Sequence, residues 1–189
     1  MTTLTNSRAK RYMPTLVVPS AARRSALDLA SKRVIDIVLA TVGVIILTPL
    51  WLVVALLIRI SDRGPAFFKQ TRVGKNGQTF TMYKFRTMRV DAEQVKASLE
   101  AANRADVGAG NSVMFKMRDD PRVTRVGRVL RKTSIDELPQ LFNVIKGDMS
   151  LVGPRPPLPS EVATYEPHVM GKFAVRPGIT GLWQISGRS

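Results

Sequence analysis

The chain has 189 residues, room for one ordinary domain and little more, and its 29 Lys+Arg against 14 Asp+Glu give a formal charge of +15. That excess calls for a polyanionic partner, namely nucleic acid, an anionic membrane surface or a phosphorylated substrate, while an aromatic content of 6% is low for stacking bases. The absence of cysteine excludes disulfides, thiolate nucleophiles and Cys-ligated zinc, and a single histidine, His168, leaves almost no material for Ser-His-Asp chemistry or multi-His metal sites, so any metal is held by oxygen ligands, as Mg²⁺ or Mn²⁺ is.

Residues 1–31 mix Ser, Thr, Pro, Ala and Arg without a period and read as a flexible arm. Residues 32–63 form the next segment, in which Ile37 to Ile58 run 22 residues without a charge, long enough to cross a bilayer as a helix. Thr48-Pro49 falls in the middle, where proline removes a backbone donor and leaves two arms each too short to span. Both flanks are basic, with Arg23, Arg24, Lys32 and Arg33 before the run and Arg59, Arg63, Lys69 and Arg72 after it. Positive residues favour the cytoplasmic side, so both ends are expected there. A re-entrant helix broken at Thr48-Pro49, dipping into one leaflet and returning, meets both conditions; a kinked single-pass helix and a buried core helix are the competing readings. Asp36 stands one helical turn after Lys32, at ion-pair spacing.

Residues 64–189 change character. Ala66 to Val73 and Gln78 to Met88 read as strands joined by Gly74-Lys75-Asn76-Gly77, an Asn-Gly hairpin signal, and Gly74-Lys75 lacks the glycine spacing of a phosphate loop. Lys84-Phe85-Arg86-Thr87-Met88 then ends the second strand with two cations, Lys84 and Arg86, on one face, either solvated or lining an anion site. Asp91 to Ala102 reads as an exposed helix and Arg104 to Ser112 as a mobile loop. Arg122, Arg125 and Arg128, at three-residue spacing, read as a basic stripe on one side of a helix.

The stretch Arg131-Lys132-Thr133-Ser134-Ile135-Asp136-Glu137-Leu138-Pro139-Gln140-Leu141 puts two adjacent carboxylates among cations. Chemistry on a phosphate ester needs such a set: cations hold phosphate oxygens while one carboxylate attacks and the other holds a metal. Ser134 and Glu137 also stand at capping-box spacing, which would assign them to free backbone N–H groups at a helix start. Proline is tolerated in a first helical turn, so Pro139 places the dyad near the N-terminus of a helix that runs to a stop at Gly147. Arg155 lies between prolines in Gly153-Pro154-Arg155-Pro156-Pro157, a stiff setting for a guanidinium that meets a phosphate. Arg176 opens Arg176-Pro177-Gly178-Ile179-Thr180-Gly181, followed by Trp183, which is either a nucleotide platform or core.

From Lys32-Arg33 to Gly187-Arg188 the chain resembles the bacterial sugar transferases, the monotopic phosphoglycosyl transferases that begin exopolysaccharide, capsule and O-antigen assembly. The resemblance rests on Lys84-Phe85-Arg86-Thr87-Met88, on the dyad stretch ending Asp136-Glu137-Leu138-Pro139-Gln140-Leu141, on Gly153-Pro154-Arg155-Pro156 and on Arg176-Pro177-Gly178-Ile179-Thr180-Gly181, in that order behind an apolar segment. Thr48-Pro49 stands where the family has Ser-Pro. The resemblance implies an α+β fold: a small mixed α/β catalytic domain with an N-terminal re-entrant membrane helix. It also implies transfer of hexose 1-phosphate, with glucose or galactose favoured, from a UDP-sugar to undecaprenyl phosphate with release of UMP. Under it Asp136 is the nucleophile that forms a phosphosugar intermediate, Glu137 binds Mg²⁺, and Arg131, Arg155, Arg176, Lys84 and Arg86 contact substrate phosphates or nucleotide. Lys32, Arg33, Thr48 and Pro49 belong to the membrane element, at the cytoplasmic leaflet of the bacterial inner membrane with its anionic lipids. The resemblance implies a small member without a preceding membrane bundle, and relatives that continue past Ser189 into further membrane-associated helical segments. Nucleic acid is not an expected partner, and the competing class is a non-catalytic basic protein, either a membrane-anchored adaptor or a nucleic-acid binder.

Overall fold

A computed structural model of the chain describes residues 26–95 and 120–181. In chain order the elements are α1 (Ala26–Asp62), β1 (Phe67–Val73), β2 (Thr79–Phe85), α2 (Arg125–Thr133), α3 (Gln140–Lys146), β3 (Ser150–Val152), α4 (Pro159–Val162) and β4 (Gly178–Thr180). Short 3-10 segments lie at Lys75–Gly77, Ile135–Glu137 and Pro167–Ala174. Helices and short strands are thus mixed, as an α+β chain requires. The chain divides into two compact units: the first takes in the chain up to Thr48, Lys69–Lys84 and the chain from Pro139 on, and the second takes in Pro49–Phe68 and Phe85–Leu138.

Helix α1 begins at Ala26 rather than at Lys32, so residues 26–31, expected in the flexible arm, are helical. Ala and Leu supply propensity there, Asp28 in the first turn complements the helix dipole, and the Ser31 hydroxyl donates to the Leu27 carbonyl at 2.8 Å. The rest of the arm lies outside the described residues. The helical residues continue through Pro49, and the neighbouring Thr48 hydroxyl donates back to the Val44 carbonyl at 2.7 Å. Only 17% of the most apolar 18-residue window of α1 is buried, which removes the core-helix reading among the described residues. Ile45, Ile46, Leu52, Leu56 and Ile60 each expose more than half of their surface, and the helix is long and apolar enough to cross a membrane.

In the first unit the hairpin turn has positive φ at Asn76 (57°) and Gly77 (73°), and Gln78 N–H donates to the Lys75 carbonyl at 3.2 Å. This is the type I′ pattern that the Asn-Gly pair favours. Arg33, on α1, donates to the carbonyls of Val144 (2.7 Å) and Ile145 (3.1 Å), so a cation caps the C-terminal end of α3, which stops at Gly147 with φ 97°. Lys32 makes the expected pair with Asp36 at 2.9 Å, and the buried Asp36 also accepts from the Ser150 hydroxyl (2.8 Å) and the Leu151 N–H (3.2 Å). Val73, Val162 and Phe173 form a small core with Tyr165 and Met170 against it. Arg72 is buried beside them in sequence, bonded to Gln70 and to the Pro156 carbonyl, and so is no membrane-flanking cation.

In the second unit Phe85 stacks on Phe67 with centroids 5.2 Å apart and meets Trp51 edge-on at 6.2 Å. Ala92–Val95 is helical, the start of the helix expected over Asp91 to Ala102, whose remainder lies outside the described residues together with the Arg104–Ser112 loop and Trp183. Arg122 does not join a helical stripe. Thr124 is the N-cap of α2, its hydroxyl accepting from Gly127 N–H at 2.9 Å, so Arg122 precedes the helix, where it is buried and paired to Asp120 at 2.6 Å.

Candidate active site

The carboxylate dyad belongs to the second unit and sits between two helices rather than on one. Ser134, at φ 59° and ψ 15°, ends α2 in the left-handed region, and Ile135–Glu137 follow as a single 3-10 turn. Glu137 N–H donates to Ser134 O and Leu138 N–H to Ile135 O, both at 3.2 Å. Pro139 explains the tight turn: without an N–H it cannot bond to the Ile135 carbonyl, which therefore takes its bond from Leu138. Helix α3 starts only at Gln140. The dyad therefore lies one turn ahead of α3, near its N-terminus as the sequence predicts, but on a 3-10 turn of its own. The predicted capping box is also absent as such, since Ser134 makes no side-chain cap bond. Asp136 is buried and Glu137 half-buried.

The segment Lys84–Met88 fixes this turn through α2. The Thr87 carbonyl accepts from Thr124 N–H at 3.1 Å, and a Cβ on Gly127 would lie 2.0 Å from that same carbonyl oxygen, so the helix backbone rests directly on Thr87. Met88 bridges to Val123, and Arg89 N–H donates to the Arg122 carbonyl at 2.9 Å. Arg131 reaches back from α2 and donates through Nε to the Thr87 hydroxyl at 2.9 Å. Arg131 thereby has one edge of its guanidinium anchored three residues before Ser134 and its neighbouring dyad. The contacts of Thr87 and Gly127 were not read from the sequence; Thr124, three residues before Gly127, is the one local signal, an N-cap.

Arg86 is placed differently from the prediction. Its guanidinium is buried, lies 3.4 Å from Asp62 and fills the space left by Gly64, where a Cβ would stand 1.9 Å from Nη1. The ion-pair distance holds without hydrogen-bond geometry, since Nε and Nη2 have no hydrogen-bond partner. It is a core cation with no open face for a substrate phosphate. Asp120 is held below the usual carboxylate range chiefly by the side-chain hydrogen bonds from Arg122, against a smaller opposing effect of burial.

The other predicted cations belong to the first unit. Strands β3 and β4 pair in parallel with Ser150 opposite Gly178 and Val152 opposite Thr180. The motifs Gly153-Pro154-Arg155-Pro156 and Arg176-Pro177-Gly178-Ile179-Thr180-Gly181 thus run side by side, joined by Gly153 N–H to Thr180 O and Gly178 N–H to Pro154 O, both at 2.9 Å. Two glycines allow the approach: a Cβ on Gly178 would lie 2.1 Å from Gly153 N. Arg155 is 45% exposed, 3.7 Å from Glu161, and lines a shallow cleft with Lys172 and Phe173. Arg176 instead donates through Nε to the Gly147 carbonyl at 2.8 Å, adding a second cation to the end of α3 that Arg33 caps. Lys84 is half-buried.

Among the described residues no three acidic or histidine side chains gather as a metal cage. Asp136 and Glu137 offer adjacent oxygen donors, a set that fits Mg²⁺ where substrate phosphates and water complete the shell.

Comparison with known proteins gives a consistent result. A family model described as bacterial sugar transferase matches residues 27–189. The galactosyl transferase CpsE of Streptococcus agalactiae is 51% identical over 161 residues, 85% of this chain and 34% of the relative. The exopolysaccharide production protein ExoY of Sinorhizobium fredii is 47% identical over 84% of this chain and 70% of its own length. A UDP-glucose:undecaprenyl-phosphate glucose-1-phosphate transferase of Caulobacter vibrioides is 45% identical over 87% of this chain and 56% of its own length. The chain thus spans only about a third of the length of the first of these relatives.

Proposed function

The chain belongs to the bacterial sugar transferase family, and from that membership we propose that it transfers hexose 1-phosphate from a UDP-sugar to undecaprenyl phosphate, releasing UMP and initiating surface polysaccharide synthesis. The observation that carries the reading is the turn Ile135–Glu137, which holds the buried Asp136 and the half-buried Glu137 directly after a helix whose Arg131 is anchored to Thr87. In the first step an Asp136 carboxylate oxygen attacks the phosphorus that bears the hexose. The bond from that phosphorus to the bridging oxygen breaks, and UMP leaves with the bridging oxygen. In the second step a phosphate oxygen of undecaprenyl phosphate attacks the same phosphorus and expels the Asp136 carboxylate, giving a diphosphate-linked hexose and the free enzyme. Burial of Asp136 keeps water from the acyl phosphate between the steps, and Arg131 orients the dyad or a phosphate oxygen.

Glu137 would hold Mg²⁺, which when bound offsets charge on the diphosphate. Arg155, exposed beside Lys172, is the better placed phosphate contact in its unit; Arg176 has a helix-capping partner already. The names of relatives point to galactose and to glucose, and both are favoured sugars. We place the protein on the cytoplasmic leaflet of the inner membrane as a monotopic protein, with α1 re-entrant about Thr48-Pro49 and lipid covering its apolar surface. On either side of Pro49 the uncharged arms are roughly 14–18 Å long at ~1.5 Å per residue, each shorter than the ~30 Å core of a bilayer. Family membership leaves a non-catalytic adaptor or nucleic-acid binder without support.

The test supplies lipid-embedded protein, Mg²⁺, undecaprenyl phosphate and single UDP-hexoses, and measures UMP. Acceptor-dependent release is expected, with Asp136→Asn slower by at least about a thousandfold. An unchanged rate in that variant removes Asp136 as nucleophile. Tags placed ahead of Lys32 and after Arg63 are both expected on the cytoplasmic side; opposite sides mean a spanning helix.

A further inference from the structure

We propose that the outward face of α2 is a docking surface for the anionic headgroups of the bilayer, which presents the Asp136–Glu137 turn to a membrane-borne acceptor. The inference rests on the membrane reading above and assigns it a surface. On a helix turning ~100° per residue, Arg128, Lys132, Arg125 and Val129 fall within one sector of roughly 100°. Gly127 and Leu130, on the opposite side, are the two buried residues of α2. All four residues of the outward sector are exposed, with Val129 at 61%.

Charge bookkeeping in the second unit separates these cations from the rest. Arg86 is paired with Asp62, Arg89 with Asp91 and Arg122 with Asp120, and Arg131 is bonded to Thr87. Arg125, Arg128 and Lys132 have no carboxylate partner among the described residues, and neither do Arg59 and Arg63 at the end of α1 in the same unit. Three cations with no carboxylate partner among the described residues, set around an exposed valine, suit a lipid interface, where the charges meet headgroups and the apolar group enters the acyl boundary. A free polyanion would have no use for the valine. The face is also rigidly coupled to the dyad: Gly127 rests on the Thr87 backbone, and the left-handed Ser134 connects α2 to the catalytic turn with no intervening loop.

The test uses the full chain in vesicles, where α1 retains the protein whatever α2 does. Because the chain has no cysteine, Val129→Cys takes a single environment-sensitive dye. In vesicles with about a third phosphatidylglycerol its emission is expected to shift to the blue and be quenched by lipids carrying a quencher, whereas in pure phosphatidylcholine it is quenched by aqueous iodide. The triple variant R125Q/R128Q/K132Q is expected to raise the apparent KM for undecaprenyl phosphate about tenfold on the anionic vesicles. It should leave the stoichiometric UMP burst with UDP-sugar alone unchanged, while R125K/R128K keeps the wild-type KM. A dye that stays iodide-accessible on anionic vesicles overturns the proposal, as does a triple variant with unaltered KM. So does an emission shift caused by single-stranded RNA and not by anionic lipid. The dye readout does not depend on turnover, so a failed transferase reading and a failed docking reading give different results.

Discussion

The segments Lys84–Met88 and Gly153–Pro156 look alike in sequence, each a short motif built around an arginine, yet the fold uses them in opposite ways. In the first the arginine is core: Arg86 is buried against Asp62 and Gly64, and it is Thr87, through its carbonyl and hydroxyl, that connects to α2 and Arg131. In the second the backbone is core: Gly153 is pressed against the Arg176–Gly178 stretch while Arg155 points to solvent with a loose contact to Glu161. A basic motif therefore does not by itself mark an anion site. What decides is whether the guanidinium or the backbone beside it carries the packing.

The largest way to break this contrast is through backbone approach. Gly127→Ala would place a Cβ 2.0 Å from the Thr87 carbonyl, and a stability loss of about 3 kcal/mol is expected in thermal unfolding, whereas Gly171→Ala, with nothing within 4 Å, should leave the midpoint unchanged. Next come the arginines themselves. Arg86→Gln is expected to cost about 2 kcal/mol by leaving Asp62 without its cation, less than for a fully buried pair because Asp62 is 24% exposed. Arg155→Gln should keep the unfolding midpoint and lower kcat/KM for UDP-sugar by about tenfold, the scale of one phosphate contact. Equal stability losses in the two variants would erase the distinction. The smallest effect is a pH dependence. Asp120 has a folded-state pKa depressed by Arg122. Its contribution to stability is therefore present above the ordinary aspartate value near about 4 and is lost as pH falls through the lower folded value. Thermal midpoints of wild type and Asp120→Asn should accordingly converge between pH 5 and the acid limit, at about pH 3 or below. A gap that persists at the acid end removes the ion pair as its cause.

What was legible in the sequence was local. The hairpin followed from Asn76-Gly77, whose left-handed preference belongs to those two residues, and the long helix from a charge-free run. Lys32 found Asp36 because a helix brings i and i+4 together. Where the reading erred, a partner outside the periodic pattern had decided. Arg122 has the spacing of a helical stripe, but Asp120 and the Thr124 cap set the helix start beyond it. Arg86 alternates with Lys84 as a strand should, yet Asp62 and Gly64 claim it. The pairing of β3 with β4 had no period to betray it, each strand being three residues long. The dyad was found by residue type, while its true setting depended on the missing N–H of Pro139.

Asn143 has a consequence for solubility. A two-stranded hairpin presents two open edges, each a template for another chain. Here the Asn143 amide lies along β2 as a single extra rung, donating to the Thr81 carbonyl at 2.7 Å and accepting from Tyr83 N–H at 3.1 Å. On β1, Val73 N–H is taken by the Pro157 carbonyl at 3.0 Å. A side-chain amide and a proline carbonyl thus each cover part of one edge of the hairpin without adding a strand. In a chain that already carries a long exposed apolar helix, an Asn143→Leu change would fill the same volume but uncover a strand edge, and its mark would be self-association before unfolding.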